Sequence, residues 1–189
     1  EYERCLSDAN KKFEKLCQHK LVDMSMIDKQ EYNSYYATAL KIYFDDFAQK
    51  YTVFEGLITK LDLFTRIINN RLMFKRIEVS REHGFRIVDI DNPKKVISLA
   101  QLSSGEKQEI VLFYDLIFET TESLLLLIDE PEISLHITWQ KKFLDDLLEV
   151  SKHTSIQVIV ATHSPQIVSN HMDIQIDLGE LYGEQLNNK

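Results

Sequence analysis

Three short constellations combine residue types that could handle a phosphate. The first is Asp129-Glu130, which directly follows the apolar run Leu124-Leu125-Leu126-Leu127-Ile128 and precedes Pro131. Two adjacent carboxylates at the end of a buried strand are costly unless they are solvated or meet a metal. In open α/β sheets, ligands sit beyond the carboxyl ends of the strands. There one acid can hold Mg²⁺, and the next, pointing elsewhere, can polarise a water. The plain alternative is a strand that ends in an acidic turn.

The second constellation is Ala161-Thr162-His163-Ser164-Pro165, after the apolar stretch Ile156 to Val160. On a strand next to the first, His163 would lie beside Asp129-Glu130, able to hydrogen-bond a terminal phosphate. A lone histidine in that position is also an ordinary structural residue. The third is Leu102-Ser103-Ser104-Gly105-Glu106-Lys107-Gln108 at the start of a helical pattern. Ser103 with Glu106 three residues later is a capping box, which begins many ordinary helices. The same geometry exposes unpaired N–H groups and partial positive charge suited to a phosphate, and Gly105 would allow close backbone approach.

These groups need a frame to hold them. From Glu106 to about Glu119 the pattern is helical, and Leu124 to Ile128 suits a buried strand. Ile137 to Val150 carries Trp139, Phe143, Leu144, Leu147 and Leu148 at helical spacing. Ile156 to Val160 reads as a second buried strand, a short helix follows Pro165, and Ile174, Ile176 and Leu178 alternate as a final strand. Strands alternating with helices point to α/β architecture with mostly parallel strands. Upstream, Ile77 and Val79, then Phe85, Ile87 and Ile90, flank Glu82-His83-Gly84 as a β-hairpin with Gly84 in the turn. Asn92-Pro93 marks another turn.

Residues 1–75 read as a helical segment and residues 76–189 as an α/β lobe. The first helix carries Leu6, Phe13, Leu16 and Cys17. A second carries Tyr32, Tyr35, Tyr36, Ala39, Leu40, Tyr43, Phe44 and Phe47. A third carries Leu57, Ile58, Leu61, Phe64, Ile67, Ile68 and Leu72. Each suits an amphipathic helix burying one stripe. The aromatic stripes read as core, with base stacking as the sharper alternative.

Composition narrows the classes. The 189 residues are 44% hydrophobic, with 5 Gly and 3 Pro, which leaves little room for linkers. A net charge of -8 argues against a broad nucleic-acid surface, although it leaves a local basic patch, and so DNA, open. Cys5 and Cys17 form no CxxC pair and read as buried or idle thiols. No apolar run is long enough to span a membrane, and no secretory signal stands out. A cytoplasmic location is the expectation. The chain starts at Glu1 within a helical pattern, so a fragment is expected.

Taken together, the motifs resemble ABC-type ATPases of the SMC and DNA-repair branch, particularly the OLD-like prokaryotic ATPases. The resemblance covers about Gln101 to Gln166, with the motifs in the family's order. Leu102, Ser103, Ser104, Gly105 and Glu106 match the signature loop. Leu124 to Glu130 matches the Walker B strand, which implies Asp129 for magnesium and Glu130 as the catalytic carboxylate. Ser134, Leu135 and His136 fall where the D-loop lies, and His163 matches the switch-loop histidine. Ser104 and Glu106 stand where many transporters have Gly and Gln, and His136 replaces the transporters' D-loop Asp. Asp-Glu-Pro-Glu followed by Ser-Leu-His is similar instead to the OLD-like and phage-defence ATPases, and the chain around Trp139 to Asp146 and after His163 more loosely resembles the ATPase subunits of Septu-type and related two-gene defence systems.

The expected fold is therefore the C-terminal lobe of an ABC-type head preceded by a helical segment, with ATP and Mg²⁺ as ligands. No Gly-x-x-x-x-Gly-Lys-Ser/Thr occurs. None of Gly56, Gly84, Gly105, Gly179 and Gly183 is followed by Lys, so the usual β/γ-phosphate cradle is missing. The resemblance places that P-loop in an N-terminal lobe, and the chain alone is expected to be inactive. It also implies a head-to-tail homodimer with the signature acting in trans, gating a partner nuclease or toxin. An SMC-like DNA repair or recombination ATPase and a non-enzymatic scaffold are the competing readings. A transporter subunit fits least.

Overall fold

The computed structural model describes residues 2–22, 33–120, 123–133 and 135–179. They form two compact units that divide between Phe118 and Glu119. The architecture is mixed α/β, with a parallel strand pair in the second unit.

In the first unit, helix α1 (Tyr2–Gln18) buries Leu6, Ala9, Phe13 and Leu16 against helix α2 (Ala37–Asn69). Phe13 stacks on Phe47, with ring centroids 4.7 Å apart. Helix α2 is one continuous element of 33 residues, where the sequence pattern suggests two helices. Its length is about 50 Å at 1.5 Å per residue. Gly56, in its interior, costs only about 1 kcal/mol relative to Ala, and the packed stripe carries the helix through it. That stripe runs through Tyr51, Ile58, Leu61, Phe64 and Ile68, at steps of three, four and seven.

The core reading of the aromatic stripe holds for only part of α2. Tyr35 is 84% exposed and Tyr43 44%, whereas Tyr51 and Phe64 are buried. Helix α1 meets this aromatic stretch through Tyr2 against Phe44 and Phe13 against Phe47. Tyr32 lies outside the described residues.

Strands β1 (Lys75–Ser80) and β2 (Gly84–Asp89) pair antiparallel as the expected hairpin, and β3 (Val96–Ile97) adds to β2. Gly84 takes φ +64°, a left-handed conformation that suits glycine. The Lys95 amide donates to the Asn92 carbonyl at 2.8 Å, closing the Asn92-Pro93 turn. Helix α3 (Ser104–Tyr114) continues into a wider π-type turn, Asp115–Glu119. Phe64, Phe85, Tyr114 and Phe118 meet edge-on or tilted, with centroids 5.2 to 6.2 Å apart. This cluster ties α2, the hairpin and α3 together.

In the second unit, strands β4 (Leu124–Asp129) and β5 (Ile156–Ala161) pair in parallel, from Leu124↔Ile156 to Asp129↔Ala161. Parallel neighbours need a crossover connection, supplied by helix α4 (Ile137–His153), which buries Phe143, Leu147 and Val150. The short helix α5 (Pro165–Val168) packs against α4 and buries Ile167.

Two expectations are corrected here. The apolar run of β4 is half-open rather than buried: Leu125, Leu127 and Ile159 are 56%, 68% and 58% exposed. Strand residues alternate sides, and only the side carrying Leu126, Ile128, Val158 and Val160 is partly covered within this unit. Ile174, Ile176 and Leu178 do not form a strand; Met172–Ile174 is a single 3-10 turn and all three residues are exposed. A strand needs a ladder partner, and among the described residues this segment has none. No described helix is long and apolar enough to cross a membrane. Cys5 and Cys17 are both of intermediate burial.

Candidate phosphate-handling site

The second unit brings Asp129, Glu130 and His163 to the carboxyl ends of its two neighbouring strands. Asp129 is the last residue of β4 and is exposed. Glu130 then takes φ +46°, rare for a residue with a Cβ, while its amide donates to the Ala161 carbonyl at 2.9 Å. Backbone in this region costs of order 1 kcal/mol or more and persists only where surrounding contacts hold it. The sharp turn sends Glu130 away from the strand direction of Asp129. Its carboxylate lies 3.2 Å from Nε2 of His163, a side chain 93% exposed.

A third carboxylate, Glu132, organises this corner, and the sequence reading assigned it no role. The Thr162 hydroxyl lies 2.7 Å from each of its carboxylate oxygens and donates to them. The His163 amide donates to Oε1 at 3.0 Å. Desolvation works against the charge on Glu132, but these bonds, with the Thr162 hydroxyl foremost, hold its carboxyl below the usual range. Glu130 moves the other way. Desolvation, a side-chain hydrogen bond with Glu132 and the nearby Glu132 and Asp129 charges raise it, against the pull of His163. The available signal was three acids within four residues, opposite a Thr-His pair on a parallel strand.

Leu135 is buried and His136 exposed, while Ser134 lies outside the described residues. His136 caps α4: its Nδ1 accepts from the Thr138 amide at 3.4 Å. The Gln140 side chain donates from Nε2 to the carbonyls of Glu132 and Leu135, at 3.3 and 3.1 Å.

Leu102 to Glu106 belong to the first unit. Ser103 and Ser104 are exposed, whereas Leu102, Gly105 and Glu106 are buried. The capping box is formed: Ser103 Oγ accepts from the Glu106 amide at 3.2 Å, and Glu106 accepts from the Ser103 amide at 2.8 Å. Lys75 Nζ adds a bridge to both Glu106 oxygens, at 2.7 and 2.8 Å. Three residues on, Glu109 forms a buried ion pair with Arg71. Arg71 also lies 4.9 Å from the centre of the Phe113 ring. The start of α3 is thus fastened twice to the α2–β1 connection.

Burial opposes the charge on Glu106, but Lys75 and the Ser103 amide outweigh it and lower its carboxyl below 4.5. A folded value below the unfolded one contributes stability above the unfolded value and loses it as pH falls through the folded one. The stability gap between the protein and its Glu106→Gln variant is therefore expected to be full above 4.5 and to close progressively below it. Urea titrations across that range check this. A gap that widens with acid would mean the bridge does not hold Glu106 charged.

Among the described residues, no three or more His, Cys, Asp or Glu side chains converge as a metal cage. The donor set suits Mg²⁺ all the same, because that ion usually takes one or two carboxylates and completes its shell with water and substrate phosphates. Asp129 offers such a carboxylate.

Comparison with known proteins agrees with this frame. Residues 28–169 match the family described as "AAA domain, putative AbiEii toxin, Type IV TA system". The chain is 33% identical over 132 residues to the oligopeptide transport ATP-binding protein OppD of Lactococcus lactis subsp. cremoris, covering 64% of this chain and 38% of OppD. It is 33% identical over 105 residues to a protein named "Retron Ec83 probable ATPase" from Escherichia coli, covering 50% of this chain and 19% of that protein. The chain thus spans well under half the length of the relatives it matches. The family match covers most of the sequence and includes α2, α3 and both parallel strands, so the chain belongs to this family of AAA ATPase domains.

Proposed function

We propose that this chain is the C-terminal portion of an ABC-type ATPase head, which binds Mg²⁺-ATP and hydrolyses it together with a P-loop lobe. The observation that carries this is the Glu130–His163 contact at the carboxyl ends of two parallel strands, beside the exposed Asp129. Asp129 would hold the magnesium ion, which when bound would neutralise charge on the phosphate oxygens. Glu130 accepts the proton of the attacking water. His163 donates from its ring to the terminal phosphate. Ser103 serves a nucleotide held by the opposing head: its Oγ accepts from Glu106, and its hydroxyl proton remains available to donate.

ATP then closes a head-to-tail pair and hydrolysis opens it, as in other γ-phosphate switches. The coupled partner is an effector such as a nuclease or toxin, in phage defence. The toxin–antitoxin wording of the family description and the form Asp129-Glu130-Pro131-Glu132 support that reading. The OppD likeness favours a second reading, an ATP-binding subunit of a transporter. Glu106 and His136 depart from the transporter pattern, which places it behind.

The test is Ser103→Arg in the protein assembled with its P-loop lobe. Nucleotide affinity of the separate head is expected to stay the same, while ATP-dependent dimerisation, followed by light scattering, is lost. Dimerisation at the original nucleotide concentration would remove the signature role from Leu102 to Glu106.

A further inference from the structure

We infer that Glu132 is the positioning residue for His163, holding the loop Thr162-His163-Ser164 in the one arrangement that presents the imidazole to Glu130. The inference rests on the reading of His163 as a phosphate-contacting group. It adds a residue to which that reading gives no role.

The His163 ring cannot be held by packing, because it is 93% exposed. Its position follows its backbone, and Glu132 holds that backbone directly at His163. Glu132 Oε1 accepts the His163 amide at 3.0 Å, and both Glu132 oxygens take the Thr162 hydroxyl at 2.7 Å. The same hydroxyl oxygen accepts from the Ser164 amide at 3.0 Å. A single carboxylate therefore reaches three consecutive residues, two directly and one through Thr162.

The far end of the loop is tied as well. The Ser164 hydroxyl donates to Gln140 Oε1 at 3.0 Å, while the Gln140 amide group donates to the carbonyls of Glu132 and Leu135. The network closes on itself: the turn after β4, the first turn of α4 and the loop after β5 share Glu132 and Gln140. Each bond to a charged acceptor is stronger than a neutral one. Every member belongs to the second unit.

A merely stabilising role would lower folding stability alone. A positioning role instead makes the loss of Glu132 redundant once His163 is gone. Turnover should be measured in the assembled ATPase for Glu132→Ala, His163→Ala and the double variant. Glu132→Ala is expected to lower kcat about 10- to 100-fold, the usual cost of losing a supporting partner, with KM for ATP unchanged. In the His163→Ala background it should cost less than about twofold. Glu132→Gln should recover most of the loss, because the amide oxygen still accepts from Thr162 and His163. Should Glu132→Ala fail to fold, Thr162→Val removes the hydroxyl alone and should show the same dependence on His163.

Losses that multiply in the double variant, or an equal defect in Glu132→Gln and Glu132→Ala, overturn the inference. Hydrogen exchange at the His163 amide reads the contact without any turnover. Exchange about tenfold or more faster in Glu132→Ala supports it, and unchanged exchange overturns it. Full kcat in His163→Ala would sink the functional reading of the histidine instead, and the exchange measurement would still decide whether Glu132 positions it.

Discussion

Glu130→Gln, in the protein assembled with its P-loop lobe, is expected to slow ATP hydrolysis about 10²- to 10⁴-fold while leaving ATP affinity unchanged. An amide of nearly the same shape keeps the turn at φ +46° and can still face His163, but it cannot take a proton from water. Desolvation and the negative neighbours Glu132 and Asp129 raise the proton affinity of Glu130, which makes it a better base than a free carboxylate. Because Asp129 is a separate group at the strand end, metal and nucleotide binding should survive the change. Single-turnover phosphate release, paired with equilibrium nucleotide binding, separates the two effects. Unchanged turnover would take the catalytic role away from Glu130. A parallel loss of binding would mean Glu130 holds the ligand rather than the water.

Glu109→Ala is expected to destabilise the first unit by about 3–5 kcal/mol, the usual cost of removing one member of a buried ion pair. Arg71 and Glu109 side chains are each only 2% exposed, so water cannot replace the lost carboxylate. The guanidinium also lies against the Phe113 ring, which adds some attraction to its position. The double change Arg71→Met with Glu109→Leu should return most of that stability, because apolar residues of similar volume often replace a buried pair at little cost. Urea unfolding of the three proteins decides it. A loss under about 1 kcal/mol for Glu109→Ala would place the pair in the weak class of surface bridges. Since Glu109 and Glu106 fasten the same helix, the single variant is also expected to loosen the Ser103 capping box.

How legible the protein was depends on the range of the forces involved. Local chemistry was readable from particular residues. Gly84 announced its turn, Ser103 and Glu106 their cap, and Asn92-Pro93 its reversal, because each motif is satisfied within four residues. The order of strand, acidic pair, helix, strand and histidine was readable too. The apolar run shows itself by its short length and the amphipathic helix from Ile137 to Val150 by its period, and the structure carries that helix on to His153.

What failed depended on neighbours. Whether the stretches ending at Phe47 and starting at Leu57 are two helices or one is decided by packing along them, and whether Ile174, Ile176 and Leu178 make a strand is decided by a ladder partner. Alternation alone supplies neither.

The sequence by itself determined the chemical inventory: the acids after β4, the histidine after β5, the capped helix start and the lack of a phosphate-binding loop. Only the tertiary structure decided how that inventory is wired. Glu132 reaches Thr162 and His163 across thirty-odd residues of chain, and Lys75 reaches Glu106 across 31. A hydrogen bond or ion pair is set by distances of about 3 Å. Such distances exist only after parallel pairing of β4 with β5, and packing of α2 and β1 against α3, have brought distant residues together.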